Sequence, residues 1–148
     1  MAINQSPNGT NLDERGLIHF TPFADKDMNG WILHENSTLE TDYFCCMRAG
    51  SNPMQELHLP IADLPEFNIG ASYLVSVRAR LKGGSELDSL QITNNVRPVI
   101  KFSAMRSSWE TYTGGFVLKT KDYLSIAGFF VSDDGELYVD DISICAIY

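Results

Sequence analysis

From Tyr73 to Lys82 the chain alternates in polarity almost residue by residue. Tyr73, Val75, Val77, Ala79 and Leu81 form one set, and Ser76, Arg78, Arg80 and Lys82 lie between them. Successive side chains of a strand point to opposite faces, so a strand gathers the apolar set on one side. A helix would scatter the same residues round its circumference. No segment carries a convincing helical pattern, with apolar residues at i, i+3, i+4 and i+7 over three turns without a Pro or Gly break. The chain is therefore expected to be built of strands.

A second long run, Tyr123 to Val131, is apolar in both phases. Tyr123, Ser125, Ala127, Phe129 and Val131 alternate with Leu124, Ile126, Gly128 and Phe130. Such a strand belongs in a sheet covered on both faces, or it lines a binding surface. Shorter strands are expected around Leu17–Phe20, Trp31–His34, Tyr43–Met47, Leu57–Ile61, Val99–Ala104, Trp109–Thr113 and Gly115–Leu118. Turn formers separate them: Asn29-Gly30, Gly50 to Pro53, Gly83-Gly84-Ser85, and Ser132 to Gly135. The last joins two strong strand patterns and predicts a hairpin. In the closing strand Leu137 and Val139 set one phase, and Ile142, Ile144 and Ala146 set the other. A β-bulge at Asp140-Asp141 would keep both sets inward and swing one carboxylate to the sandwich edge.

The 148 residues fit one domain, and 44% hydrophobic with 20% charged residues excludes a wholly disordered chain. The expected fold is all-β: a single jelly-roll β-sandwich over residues 1–148, held by its core without a required cofactor. With 19 acidic and 11 basic residues the formal charge is −8. That disfavours nucleic acid and anionic membranes, whose affinity comes mostly from neutralised phosphates. The N-terminus lacks the basic and apolar regions of a signal peptide, and no apolar run could span a bilayer. Synthesis in the cytoplasm is expected, as a small complete chain or a piece excised from a larger one. Cys45, Cys46 and Cys145 are an odd number without CxxC spacing. They read as buried thiols, with a bridge from Cys45 or Cys46 to Cys145 as the alternative.

Catalysis needs a nucleophile with its base, a metal, or two placed carboxylates. His19, His34 and His58 stand apart on expected strands, with no HxH, HExxH or GxSxG grouping. The chain is expected not to be an enzyme.

Four segments, in order, resemble a known family. They are Phe23 to Asp27 followed by Gly30-Trp31, then Ile69 to Arg80 entered through Gly70-Ala71-Ser72-Tyr73, then Ser107 to Phe116, and finally Glu136 to Ile144. The set is similar to the carbohydrate-binding modules appended to bacterial xylanases and endoglucanases, within the galactose-binding-domain-like jelly rolls. The resemblance implies a calcium held by a carboxylate near the first aromatic and one from the closing pair, here Asp25 with Asp140 or Asp141. Where such modules carry the first acid, directly after the aromatic, this chain has Ala24. The alternative is that Asp140-Asp141 only caps backbone groups at the bulge.

Glycan binding uses aromatic platforms ringed by amides and carboxylates. Candidates are Trp31, Tyr43, Phe44, Tyr123, Phe130 and Tyr138, with Asn94, Asn95 and Arg97 at the edge in a polar loop. Trp109 and Tyr112 match positions usually buried in the family. Function is expected first as a phage virion accessory, a capsid decoration or tail protein at the virion surface. Its loops and ends would bind capsid or tail subunits or its own copies, and its acidity would keep particles apart. The alternative is a carbohydrate-binding module that binds polysaccharide through an aromatic-lined face, secreted within a larger enzyme.

Overall fold

The computed structural model describes residues 16–33, 37–40, 44–50 and 54–147. Eleven strands follow in order: β1 (Leu17–Thr21), β2 (Ile32–Leu33), β3 (Ser37–Glu40), β4 (Phe44–Arg48), β5 (Met54–Pro60), β6 (Ser72–Lys82), β7 (Ser89–Asn94), β8 (Arg97–Phe102), β9 (Glu110–Val117), β10 (Tyr123–Phe129) and β11 (Glu136–Ile147). A 3-10 turn, Ala24–Lys26, separates β1 from β2. The strands form two antiparallel sheets packed as a sandwich. One sheet runs β3-β4-β11-β6-β9, with β1 also paired to β11; the other runs β2-β5-β10-β7-β8. This is an all-β jelly-roll architecture.

The alternation that starts at Tyr73 does what its period requires. Tyr73, Val75, Val77, Ala79 and Leu81 are all buried in β6, and the residues between them are half-buried. Facing them, Leu57 and Leu59 of β5, Ile92 of β7 and Leu124 and Ile126 of β10 complete one continuous core. The expected bulge is present. The β11–β6 register shifts between Asp140 and Ser143, Asp141 has a left-handed φ of 46°, and Val139 and Ile142 are both fully buried.

The expected hairpin at Ser132–Gly135 is not formed. β10 pairs with β5 and β7 in one sheet, whereas β11 pairs with β1, β4 and β6 in the other. The turn therefore carries the chain across the sandwich. Buried Asp88 fixes this crossing. Its carboxylate accepts bonds from the backbone N–H of Ser85 (3.0 Å), Val131 (2.7 Å) and Ser132 (3.1 Å) and from the Ser132 hydroxyl (2.6 Å). A Cβ at Gly84 would sit 2.4 Å from that carboxylate, and one at Gly135 2.6 Å, so both positions need glycine.

Trp109–Thr113 and Gly115–Leu118, expected as two strands, are mostly one: β9 runs through Gly114-Gly115, begins after Trp109 and ends before Leu118. Gly114 is no turn. It admits Ile100 of the neighbouring sheet, whose Cγ2 lies 2.8 Å from where a Cβ would stand. All three cysteines are buried and outside any disulfide, and burial pushes the Cys45 and Cys46 thiols up to about 12. They pack as small apolar groups.

Candidate functional site

Strand register divides the outward residues of the five-stranded sheet into rows. Across it, Ile32 of β2 faces His58 of β5, His58 faces Ser125 of β10, and Ser125 faces Thr93 of β7. One step along, Glu56, Ala127, Gln91 and Lys101 line up on β5, β10, β7 and β8. Thr93, Ser125 and Ala127 point away from the core yet are fully buried. They make a floor of small side chains beneath taller neighbours.

The floor is tied together by hydrogen bonds. Ser125 donates its hydroxyl proton to Glu56 Oε1 at 3.1 Å, so Thr93 must be the donor in the short bond between the two hydroxyls. The other oxygen of Glu56 lies 3.2 Å from His58 Nε2. His58 in turn stacks on Tyr123, with ring centroids 4.4 Å apart and planes at 23°. Two flat rings thus stand beside a polar floor. Burial raises the Tyr123 phenol, and the neighbouring Glu56 carboxylate adds to it.

The sequence-derived candidates divide sharply. Tyr123 belongs to this face. Asn94 does not lie in a loop: it ends β7, 2% exposed. Its amide donates to the Thr120 carbonyl (3.1 Å) and accepts from the N–H of Lys119 (2.9 Å) and Thr120 (3.1 Å). Asn94 therefore holds the segment that leads into Tyr123 and is a positioning residue. Asn95 occupies the tight turn between β7 and β8, and its N–H bonds the Tyr123 carbonyl at 3.1 Å. Arg97 is exposed at the start of β8. Both flank the Tyr123 end of the face.

Trp31 and Phe130 are core residues, each 4% exposed, which corrects their assignment as platforms. Trp31 spends its indole N–H on the Thr21 hydroxyl at 3.1 Å. Phe44 and Tyr138 lie half-buried on the other sheet with Trp109, which is not in the core. Their rings meet, but Arg78 covers Trp109 at 4.6 Å and Arg80 covers Tyr138 at 5.1 Å. A guanidinium thus takes up one face of Trp109 and one face of Tyr138. Tyr43 and His34 lie outside the described residues.

The calcium expectation finds no cluster of side chains to support it. Among the described residues no group of three His, Cys, Asp or Glu side chains could hold a metal. Asp25 is exposed on the 3-10 turn. Asp140 instead bonds the Asp141 N–H at 2.8 Å and lies 3.7 Å from Arg78, the capping role left open by the sequence. Sequence reasoning also missed Glu56, Gln91, Thr93 and Ser125 as members of one face. The doubly apolar pattern of β10 was their one signal, since it allowed for a lined surface.

No protein-family model matches the sequence, and no curated protein matches it. Solved structures do match the fold. The xylan-binding CBM22-1 domain of Paenibacillus barcinonensis Xyn10C superposes with a TM-score of 0.67 at 12% identity, covering 89% of this chain and 96% of that domain. The fold is carbohydrate-binding-module-like. The N-terminal cellulose-binding domain of Cellulomonas fimi β-1,4-glucanase C follows with a TM-score of 0.59 at 18% identity, covering 90% of this chain and 97% of that one. An adhesin domain of the Lys-gingipain of Porphyromonas gingivalis shares the fold at 0.57 and 13% identity, over 87% and 99% of the two chains. The expected relationship to carbohydrate-binding-module-like sandwiches is thus borne out at the level of fold, and fold leaves function to the site.

Proposed function

We propose that this chain is a non-catalytic carbohydrate-binding domain that takes a neutral polysaccharide on the outer face of its five-stranded sheet. The observation that carries the reading is the stacked His58–Tyr123 pair beside the hydrogen-bonded Thr93–Ser125–Glu56 floor. A sugar ring has an apolar face and a rim of hydroxyls. Flat side chains suit the first, and fixed carboxylate, hydroxyl and amide groups suit the second. The floor's polar groups are already tied to one another, so they lose little freedom when a ligand arrives.

The same geometry argues against chemistry. Ser125 is buried and hands its proton to one oxygen of Glu56, whose other oxygen lies beside His58. Glycoside hydrolysis requires two carboxyl groups across the scissile bond, and Glu56 is the one acid in the rows described above. The structural neighbours named above are binding and adhesin domains. Nothing among them supports the virion expectation, and the carbohydrate reading replaces it. On this reading the partner is polysaccharide, and the domain works outside the cell as part of a larger enzyme.

Native gels cast with xylan or hydroxyethylcellulose test the proposal. The protein should be retarded by at least one of them. Tyr123→Ala should weaken that retardation about tenfold, the worth of ~1.4 kcal/mol, while Thr111→Ala on the opposite sheet leaves it intact. Migration unaffected by either polymer, or a Tyr123→Ala variant retarded like the parent, would refute it.

A further inference from the structure

We propose that Gln91 selects glycans with a free hydroxyl where they cross β7, an inference that rests on the carbohydrate reading above. Gln91 points outward from the middle of the five-stranded sheet, with Ala127 beside it on β10 and Lys101 on β8. It is 8% exposed, and its Oε1 is buried without any hydrogen-bond partner. Ala127 has no side-chain proton to give. Thr93, the next outward residue on β7, gives its proton to Ser125. A buried carbonyl oxygen left without a donor destabilises the protein that carries it. Natural sheets avoid that cost with an apolar side chain unless something else supplies the donor.

A sugar hydroxyl is such a donor. In the free protein water does not reach Oε1, so a glycan lying across β7 would meet this acceptor as the Gln91 amide turns outward to it. A glycan whose hydroxyl is acetylated or methylated there has no proton to offer and leaves Oε1 unpaired. Sites built to hydrogen-bond a substrate hydroxyl reject analogues that lack it far more strongly than apolar pockets do. The preferred ligand is therefore an unsubstituted neutral polysaccharide, with Gln91 as the residue that reads substitution.

Affinities of the parent and of Gln91→Leu are compared for xylan against acetylated xylan, and for amorphous cellulose against methylcellulose, with melting temperature measured on both proteins. The parent should prefer the unsubstituted polymer. Gln91→Leu should bind it about tenfold more weakly, the worth of one hydrogen bond, and lose the preference. Its melting temperature should rise, because the orphaned oxygen is gone. A purely structural glutamine would lower both affinity and melting temperature. If leucine does not fit, Gln91→Met keeps the length and removes the oxygen, and the same results are expected. If the parent binds and the variants bind and discriminate equally well, the role of Gln91 is overturned and the carbohydrate reading stands. If the parent binds none of the four polymers, both fall.

Discussion

Asp140 shows how one residue can carry both a fold requirement and a penalty. The bulge places its carboxyl where water is scarce, 14% exposed, and burial raises its pKa from the usual carboxylate range to about 6. The Asp141 N–H and Arg78 act in the opposite direction and do not win. A carboxyl with a raised folded value binds its proton more tightly in the native state than in the unfolded one. Stability from this group therefore grows as pH falls from above 6 towards the unfolded value near 3.9. Asp140→Asn keeps the Oδ1 that accepts the Asp141 N–H and removes the charge. We expect a higher melting temperature at pH 7.5 and a flatter pH dependence between about 4 and 6. A variant with the parent's pH profile would show that the charge at Asp140 has no such cost.

At the level of elements, period-two alternation located β6 and β11 because each has one face on the core. It also marked β10 as special, and β10 is the central strand of its sheet. Pairing partners were not legible. The Ser132–Gly135 turn has the composition of a hairpin, but composition does not say whether the next strand joins the same sheet. Asp88, 44 residues before Ser132 in the chain, decides that. β7 was hidden for a related reason. Its turn to β8 consists of Asn95 and Val96, both at positive φ, where a β-branched residue is unusual. Asp88 yields the prediction for this scale. Burial raises its pKa, but the four hydrogen bonds outweigh that and hold it below the usual range. Its stabilisation is complete above the unfolded value and is lost as pH falls through the acid range. Asp88→Ala would orphan three backbone N–H groups, at about 1–3 kcal/mol for each that stays buried. Chemical denaturation should show a loss of several kcal/mol, and a loss under ~1 kcal/mol would mean the crossing is held by something else.

For the whole molecule, residue type proved a poor guide to the candidate site, and strand register a good one. Trp31, Phe130 and Tyr138 look alike in a sequence, yet two are core and one lies under an arginine on the far sheet. The face that remains draws Glu56 and His58 from β5, Gln91 and Thr93 from β7, and Tyr123 and Ser125 from β10. No local motif links segments that meet only once the sheet is assembled. The −8 charge, which spoke first against nucleic acid, agrees with a ligand that carries no phosphate. Backbone amide shifts recorded while xylan oligosaccharides or cello-oligosaccharides are added test the central claim most directly. The account predicts saturable shifts concentrated on His58, Gln91, Thr93, Tyr123 and Ser125, with the Phe44–Trp109–Tyr138 cluster silent. Shifts centred on that cluster, or none with either sugar series, would contradict it.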